Sequence, residues 1–401
     1  MIPRFSVPFG ARELGSLALP AKHGVADFER SFAAKFGGSD AIAFAYGRTA
    51  QWAFLQAVGV HDAEVVMPAY TCSVVAHAVT LSGNTPVFVD ISLDDYNPTP
   101  DRIADAITSR TRAVIATNTF GYPQDAVSLR AVVTDAENRF GHKIWLVQDC
   151  AHAFGATSGG EPVAKTGDVA LFGLNVSKII SSIFGGMLTF NDATLAAQVR
   201  RWTEQTLSSS GMLREVRQRA YGFAASAALS RSGVTLTQAL LSRTHVLDRW
   251  ATAYHLDDRV RFPPDYDQTM TRIGATIGVS QLGRYDRIIA DRRANAAAYA
   301  SRLHIGPEAV MGPLRDGATY SHYVVRVPDR EATVARWRKS GVQLGELIQY
   351  SIPHLSSYHG PNVAGFENSL LASRHLVNVP VNARTRDVER IVKMGQSQAL
   401  R

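Results

Sequence analysis

The sequence predicts an α/β protein: a mainly parallel sheet of seven strands, followed by a smaller αβ unit toward the C-terminus. From residue 41 to 190, short apolar runs alternate with stretches of helical periodicity, the pattern of a parallel sheet covered on both faces. Within the runs, apolar residues occupy successive rather than alternate positions, as strands buried on both sides require. At 401 residues the chain is also too long for one simple core and suits a large domain with a companion.

The candidate strands, in order, are Ala41–Ala45, Glu64–Met67, Pro86–Asp90, Arg112–Asn118, Ile144–Gln148, Val169–Phe172 and Gly186–Phe190. Helical stretches fall between the earlier ones, at Thr49–Val58, Ser73–Ser82, Pro100–Thr108 and Ala126–Phe140. The last two strands are joined only by a loop, so one strand there is expected to run antiparallel. Thr194–Leu256 reads as helical and rich in small residues; its apolar stretch Ala220–Leu229 is too short to cross a bilayer. Pro263 and Pro264 mark a loop over Arg261–Gln268. Beyond it the pattern predicts a long helix from Ile273 to Leu303, a strand at Tyr320–Val327, a helix at Glu331–Ser340 and a last helix near Arg386–Met394. The expected division is a large domain over residues 1–256, with an N-terminal segment and a long helical insertion at 207–256, and a small domain over 257–401.

Hydrophobic residues at 46% and charged residues at 19% are an ordinary globular balance. No apolar run reaches the length of a spanning helix, and Met1–Gly10 lacks the plan of a secretory signal, so a cytoplasmic protein without a membrane span is expected. Cys72 and Cys150 have no second Cys or His at zinc-like spacing and read as free thiols, with no metal site. The formal charge of +7 comes from scattered arginines rather than a basic stripe. No nucleic-acid partner is expected on that pattern, and a basic pocket for a small anion fits the excess equally well.

Three places on loops after strands can carry chemistry, which is where ligands of such sheets bind. Lys178 sits among apolar residues in Leu171-Phe-Gly-Leu-Asn-Val-Ser-Lys-Ile-Ile, in a chain with few lysines. Burial lowers a lysine's pKa and supplies the unprotonated amine that imine formation needs; a lysine snorkelling from an apolar loop is the plainer alternative. Asp149 ends an apolar strand and opens Asp149-Cys-Ala-His152. A carboxylate there can pair with a pyridinium nitrogen, or simply cap a turn. His152 is near enough to touch the same ring. Gly47-Arg48-Thr49 leads from a strand into a helix, a turn that aims N–H groups and a hydroxyl at an anion. No Gly-x-Gly-x-x-Gly stands in the strand–helix setting of a nicotinamide site.

With these residues in this order, the sequence resembles the DegT/DnrJ/EryC1/StrS family of aminotransferases dependent on pyridoxal 5′-phosphate (PLP). The resemblance runs through Glu64-Val-Val-Met-Pro-Ala-Tyr-Thr, Pro86-Val-Phe-Val-Asp-Ile, Phe120-Gly-Tyr-Pro, Gln148-Asp-Cys-Ala-His-Ala-Phe-Gly-Ala, Gly167-Asp-Val-Ala-Leu-Phe, Ser177-Lys, Ile273–Leu282 and Asn378-Val-Pro-Val-Asn. It implies the aspartate aminotransferase-like fold type I and a homodimer with active sites at the interface. The implied partners are an amino-acid donor, glutamate first, and a keto-sugar acceptor linked to a nucleotide. It also implies Lys178 as the Schiff-base lysine, Asp149 as the ring-nitrogen partner, His152 beside the ring, and Gly47, Arg48 and Thr49 on the phosphate. Cys72, or nearby Tyr70, occupies the region of the family's ring-stacking aromatic. Gly173 stands where many members have a phosphate-binding Ser, with Asn175 and Ser177 as substitutes, and Asp267 or Gln268 matches an Asn that reaches the other subunit's phosphate. A lyase or dehydratase using the same cofactor, and a catalytically silent relative serving as a binding partner, are the rival readings.

Overall fold

In this computed structural model, which describes residues 1–230, 232–235 and 259–399, two helices precede the sheet: α1 (Ala11–Ala18) and α2 (Val25–Phe36). Both lie outside the alternating pattern of residues 41–190. α2 carries Phe28, Phe32 and Phe36 at four-residue spacing, so all three lie on one buried face. It starts where Asp27 accepts the Gly24 N–H at 2.9 Å and ends at Gly37 in the left-handed region (φ 81°).

The sheet strands are β1 (Asp40–Phe44), β2 (Glu64–Pro68), β3 (Thr85–Val89), β4 (Thr111–Thr117) and β5 (Trp145–Asp149). After a small hairpin of β6 (Thr157–Ser158) and β7 (Glu161–Pro162) come β8 (Val169–Gly173) and β9 (Gly186–Phe190). Each of the seven expected strands forms, with its ends displaced by no more than one residue. The order is β1-β9-β8-β5-β4-β2-β3. β9 is the antiparallel member, paired that way with both β1 and β8, while β2–β5 and β8 pair in parallel. Without a crossover helix the chain can only turn back beside β8, and the turning loop, residues 174–185, carries Lys178.

The covering helices are α3 (Gly47–Ala57), α4 (Ser73–Leu81), α5 (Pro100–Ala106), α6 (Ala126–Phe140), α7 (Ala193–Thr206) and α8 (Met212–Ala228). The starts of α5, α6 and α7 are fixed by side-chain caps from Thr99, Asp125 and Asp192. One face of the sheet packs Phe44, Phe54, Val65 and Met67 together with α3 and α4, and the other buries Phe154 and Phe172 against the α2 phenylalanines. The insertion expected at 207–256 contains α8; residues 236–256 lie outside the described part.

The single helix expected over Ile273–Leu303 is two, α9 (Arg272–Leu282) and α10 (Tyr285–Arg302). Between them Arg284 leaves helical geometry (φ −116°, ψ 1°), and its guanidinium donates to Pro8 O and to buried Glu13. α9 lies beyond the expected domain boundary at residue 256 yet packs its Ala275 into the core on the large sheet. From α10 onward the chain builds a three-stranded sheet of β10 (Val310–Met311), β11 (Tyr323–Arg326) and β12 (Leu376–Val379), with α11 (Arg330–Lys339), α12 (Glu367–His375) and α13 (Thr385–Ala399). The strand expected from Tyr320 starts three residues later, because Tyr320 itself sits at φ 46° and cannot continue a ladder. This small core, around Tyr299, Tyr323 and Trp337, also takes in Ile2, Tyr70 and Phe120.

Gly186 fixes how closely α3 approaches the sheet. A Cβ there would lie 2.5 Å from Tyr46 O and 2.7 Å from Gly47 N and Cα, all rigid backbone. Gly186→Ala is therefore expected to cost about 1–3 kcal/mol and to displace the start of α3, read as a lowered thermal midpoint together with weaker anion binding.

Candidate active site

The loops that leave β1, β2, β5 and β8 converge on one cavity of about 520 Å³, at the carboxyl ends of the parallel strands as this topology requires. Lys178, Asp149, His152, Cys72 and Arg48 all line it, and so do Gly47 and Asn175.

Asp149 is the last residue of β5 and only 3% exposed. Its Oδ1 accepts the Ala151 N–H at 3.0 Å and its Oδ2 accepts the Thr117 hydroxyl at 3.3 Å. Burial raises its pKa above the ordinary carboxyl value, and the Ala151 N–H, the Lys178 charge and the Thr117 hydroxyl only partly oppose this. Half-buried Lys178 feels burial in the opposite sense: its pKa is lowered, with Cys72 and Asp149 pulling back. An amine with weakened basicity and a carboxylate short of positive charge thus share one cavity.

His152 is buried and its Nδ1 accepts the backbone N–H of Phe120 at 3.3 Å. The ring is therefore the tautomer with its proton on Nε2. Burial, Lys178 and His322 hold its pKa well below the usual range, so it stays neutral. Around it two segments clasp. Phe120 (φ 58°) and Tyr320 (φ 46°) both take left-handed backbone, and Gly121 (φ 91°) lies between them. Thr319 N–H donates to Gly121 O at 3.0 Å, and the Thr319 hydroxyl donates to His152 O at 3.4 Å. A Cβ on Gly121 would come within 2.9 Å of His152 O and 2.8 Å of Tyr320 N, so glycine is the one residue that fits there.

At the other end, Tyr46 precedes α3 in extended conformation and offers no side-chain cap, leaving the first-turn N–H groups without a side-chain acceptor. Arg48 lines the cavity beside them, but the Thr49 hydroxyl is turned away, donating to Tyr266 O at 2.9 Å, and Thr49 is fully buried. Asn175 and Ser177 bond each other: Asn175 Oδ1 accepts the Ser177 N–H at 2.9 Å and its hydroxyl at 2.6 Å, and Ser177 points to solvent. At Gly173 a Cβ would lie 3.3 Å from Lys178 Cε and 3.4 Å from Ala151 Cβ, so the lysine stem fills the space a serine would need.

Cys72 is exposed at the start of α4, on the cavity wall. Tyr70, the alternative for that wall, is 1% exposed and points into the small core, its hydroxyl donating to Ile348 O at 3.3 Å. Asp267 is exposed, and Gln268 Oε1 accepts from Arg214 at 3.3 Å; neither lines this chain's own cavity. The cavity also has walls that the sequence did not reveal: His77 from α4, Tyr350 from the chain between α11 and α12, and Arg259 and Arg261 at its exposed edge. His77 was within reach, being five residues past Cys72 on an expected helix. Tyr350 sits in an irregular segment with no periodicity to flag it.

A model of the DegT/DnrJ/EryC1/StrS aminotransferase family matches residues 21–394. Spore coat polysaccharide biosynthesis protein SpsC of Bacillus subtilis (strain 168) is 26% identical over 369 residues, covering 89% of this chain and 84% of SpsC. GDP-perosamine synthase of Caulobacter vibrioides is 34% identical over 177 residues, which are 44% of this chain and 46% of that enzyme. Among solved structures, Spr1654 from Streptococcus pneumoniae in its PLP form aligns over 99% of this chain and 98% of its own with a TM-score of 0.74 at 19% identity, a likeness of fold.

Proposed function

Because the chain belongs to the DegT/DnrJ/EryC1/StrS aminotransferase family, we propose that it moves an amino group from an amino acid, glutamate as the expected donor, to the keto group of a nucleotide-linked sugar. The acceptor class draws on relatives whose names specify polysaccharide biosynthesis and amino-sugar formation. The observation that carries the reading is the pairing of Lys178 and Asp149 across one cavity with pKa values displaced toward a neutral amine and an uncompensated carboxyl.

The residues fit PLP. Asp149 is a buried carboxyl whose two recorded hydrogen bonds come from a backbone N–H and a hydroxyl, and a protonated ring nitrogen supplies the cation it lacks. When bound, the cofactor provides an electron sink for the carbon that loses a proton. Lys178 would hold the cofactor through its Nζ and, when free, would carry a proton on that atom. Asp149 keeps the ring nitrogen protonated. His152 lines the cavity as a neutral ring in a fixed tautomer. Arg48 and the N–H groups of Gly47 and Arg48 hold the phosphate; Thr49 contributes its backbone, since its hydroxyl is engaged elsewhere. Cys72 and Asn175 would line the cofactor's place, with Ser177 steadying Asn175. Asp267 and Gln268, outside this chain's own cavity, serve the site of a second copy in a homodimer. A reducing, cytoplasmic setting suits the free thiols of Cys72 and Cys150. No helix among the described residues is long and apolar enough to cross a membrane.

The test is to incubate purified protein with glutamate and a panel of nucleotide-linked keto sugars and to measure 2-oxoglutarate. Formation of 2-oxoglutarate in amounts matching an aminated sugar is the expected result. A protein that binds PLP yet releases none with any member of the panel would refute the acceptor class.

A further inference from the structure

We infer that His77 completes the anion pocket at the start of α3, binding an oxygen of the cofactor phosphate together with Arg48, in place of the hydroxyl groups expected there. The inference rests on the reading that this cavity holds PLP.

The hydroxyl groups are accounted for elsewhere. Thr49 donates to Tyr266 O, Ser177 is tied to Asn175 and faces solvent, and residue 173 is glycine. The first-turn N–H groups of α3 have no side-chain cap, and Arg48 and His77 line the same cavity. His77 is 2% exposed and lines the cavity, and its Nε2 is buried with no hydrogen-bond partner among the described residues. A buried polar atom left unpaired is unfavourable and calls for a ligand. The ring cannot turn away easily, because it stacks on Tyr358 at 6.1 Å with planes 16° apart. His77 and Arg48 line the same cavity, where burial and the Arg48 charge push the His77 pKa down to about 4. A phosphate between them would satisfy the imidazole and give the guanidinium its counter-ion. Gly47 packs directly against Gly173, with a Gly47 Cβ falling 3.4 Å from Gly173 Cα. This end of the cavity is therefore continuous with the strand that leads to Lys178, which favours the cofactor's phosphate over the acceptor's diphosphate as occupant.

The experiment titrates cofactor-free protein with PLP and with pyridoxal, which has the same ring and aldehyde but no phosphate, following visible absorbance. It compares wild type with Arg48→Gln, His77→Phe and His77→Asn, and repeats the titrations with UDP as competitor. Loss of a hydrogen bond to a charged group is expected to weaken PLP about 10- to 100-fold in His77→Phe and in Arg48→Gln, with pyridoxal affinity unchanged. His77→Asn, which keeps an N–H donor, should recover most of the affinity and also controls for misfolding of the Phe variant. Equal weakening of PLP and pyridoxal in His77→Phe, or no weakening of either, overturns the proposal. So does an unchanged PLP affinity accompanied by loss of UDP competition, which would assign His77 to the acceptor. Failure of wild type to bind PLP at all would instead sink the underlying reading, and the two failures are distinguishable.

Discussion

Lys178→Ala is expected to leave a folded protein that turns over at least about 10⁴-fold more slowly with its best acceptor. Two losses combine in one side chain. The amine that holds the cofactor's carbon disappears, and so does the base that moves the proton afterwards. Because the cavity already lowers the pKa of Lys178 by burial, a residue that keeps the charge cannot replace it. Lys178→Arg should be as inactive as the alanine variant, since a guanidinium does not deprotonate near neutral pH. The visible absorbance of lysine-bound cofactor should vanish in both. Turnover of either variant at the wild-type rate would remove Lys178 from the reaction.

Asp149→Asn should have effects of opposite sign with and without cofactor. Burial holds the folded carboxyl above its ordinary value of 3.8. Between that value and the folded one, the native chain therefore binds more protons than the unfolded chain, and stability falls as pH rises through the window. Above it the native state carries a poorly compensated charge. Asparagine can keep the Ala151 N–H and offer its own N–H to the Thr117 hydroxyl, so the cofactor-free variant should be more stable at neutral pH by about 1 kcal/mol. The pH-dependent loss should be absent. Turnover should nonetheless drop on the order of 10²- to 10³-fold, comparable to deleting one preorganised electrostatic partner, because an amide cannot keep the ring nitrogen protonated. Thermal midpoints across pH for both proteins, set beside their turnover, test the pair of signs. A less stable cofactor-free variant would show that the carboxylate is better compensated than its surroundings indicate.

What the sequence disclosed follows from how local each signal is. The seven strands were legible because their apolar runs are continuous and bounded by loops, and the reversal at β9 because residues 174–185 leave no room for a crossover. Lys178 and Asp149 stood out because a lone lysine in an apolar loop and a carboxylate ending an apolar strand contradict their surroundings. The stripe Phe28, Phe32, Phe36 is an equally local signal, but it stands before the alternating pattern and belongs to no strand–helix unit. β12 has four residues and acquires its identity only from pairing with β11, whose nearest partner, Arg326, lies 50 positions before Leu376. The Thr49 hydroxyl is the clearest case of tertiary context prevailing. Its turn predicted an anion ligand, but its partner, Tyr266 O, is 217 residues away, and no local pattern encodes that bond. Likewise Tyr70 was pulled into the small core by Ile348, a contact between segments that periodicity cannot relate.

Swinging the C-terminal lobe outward like a jaw would break the Thr319–Gly121 bond and loosen the backbone of Phe120 and Tyr320, both held in conformations that ordinary side chains adopt reluctantly. The same stroke would take the Thr319 hydroxyl away from His152 O. The C-terminal segment is thus fastened to the large sheet at the histidine itself.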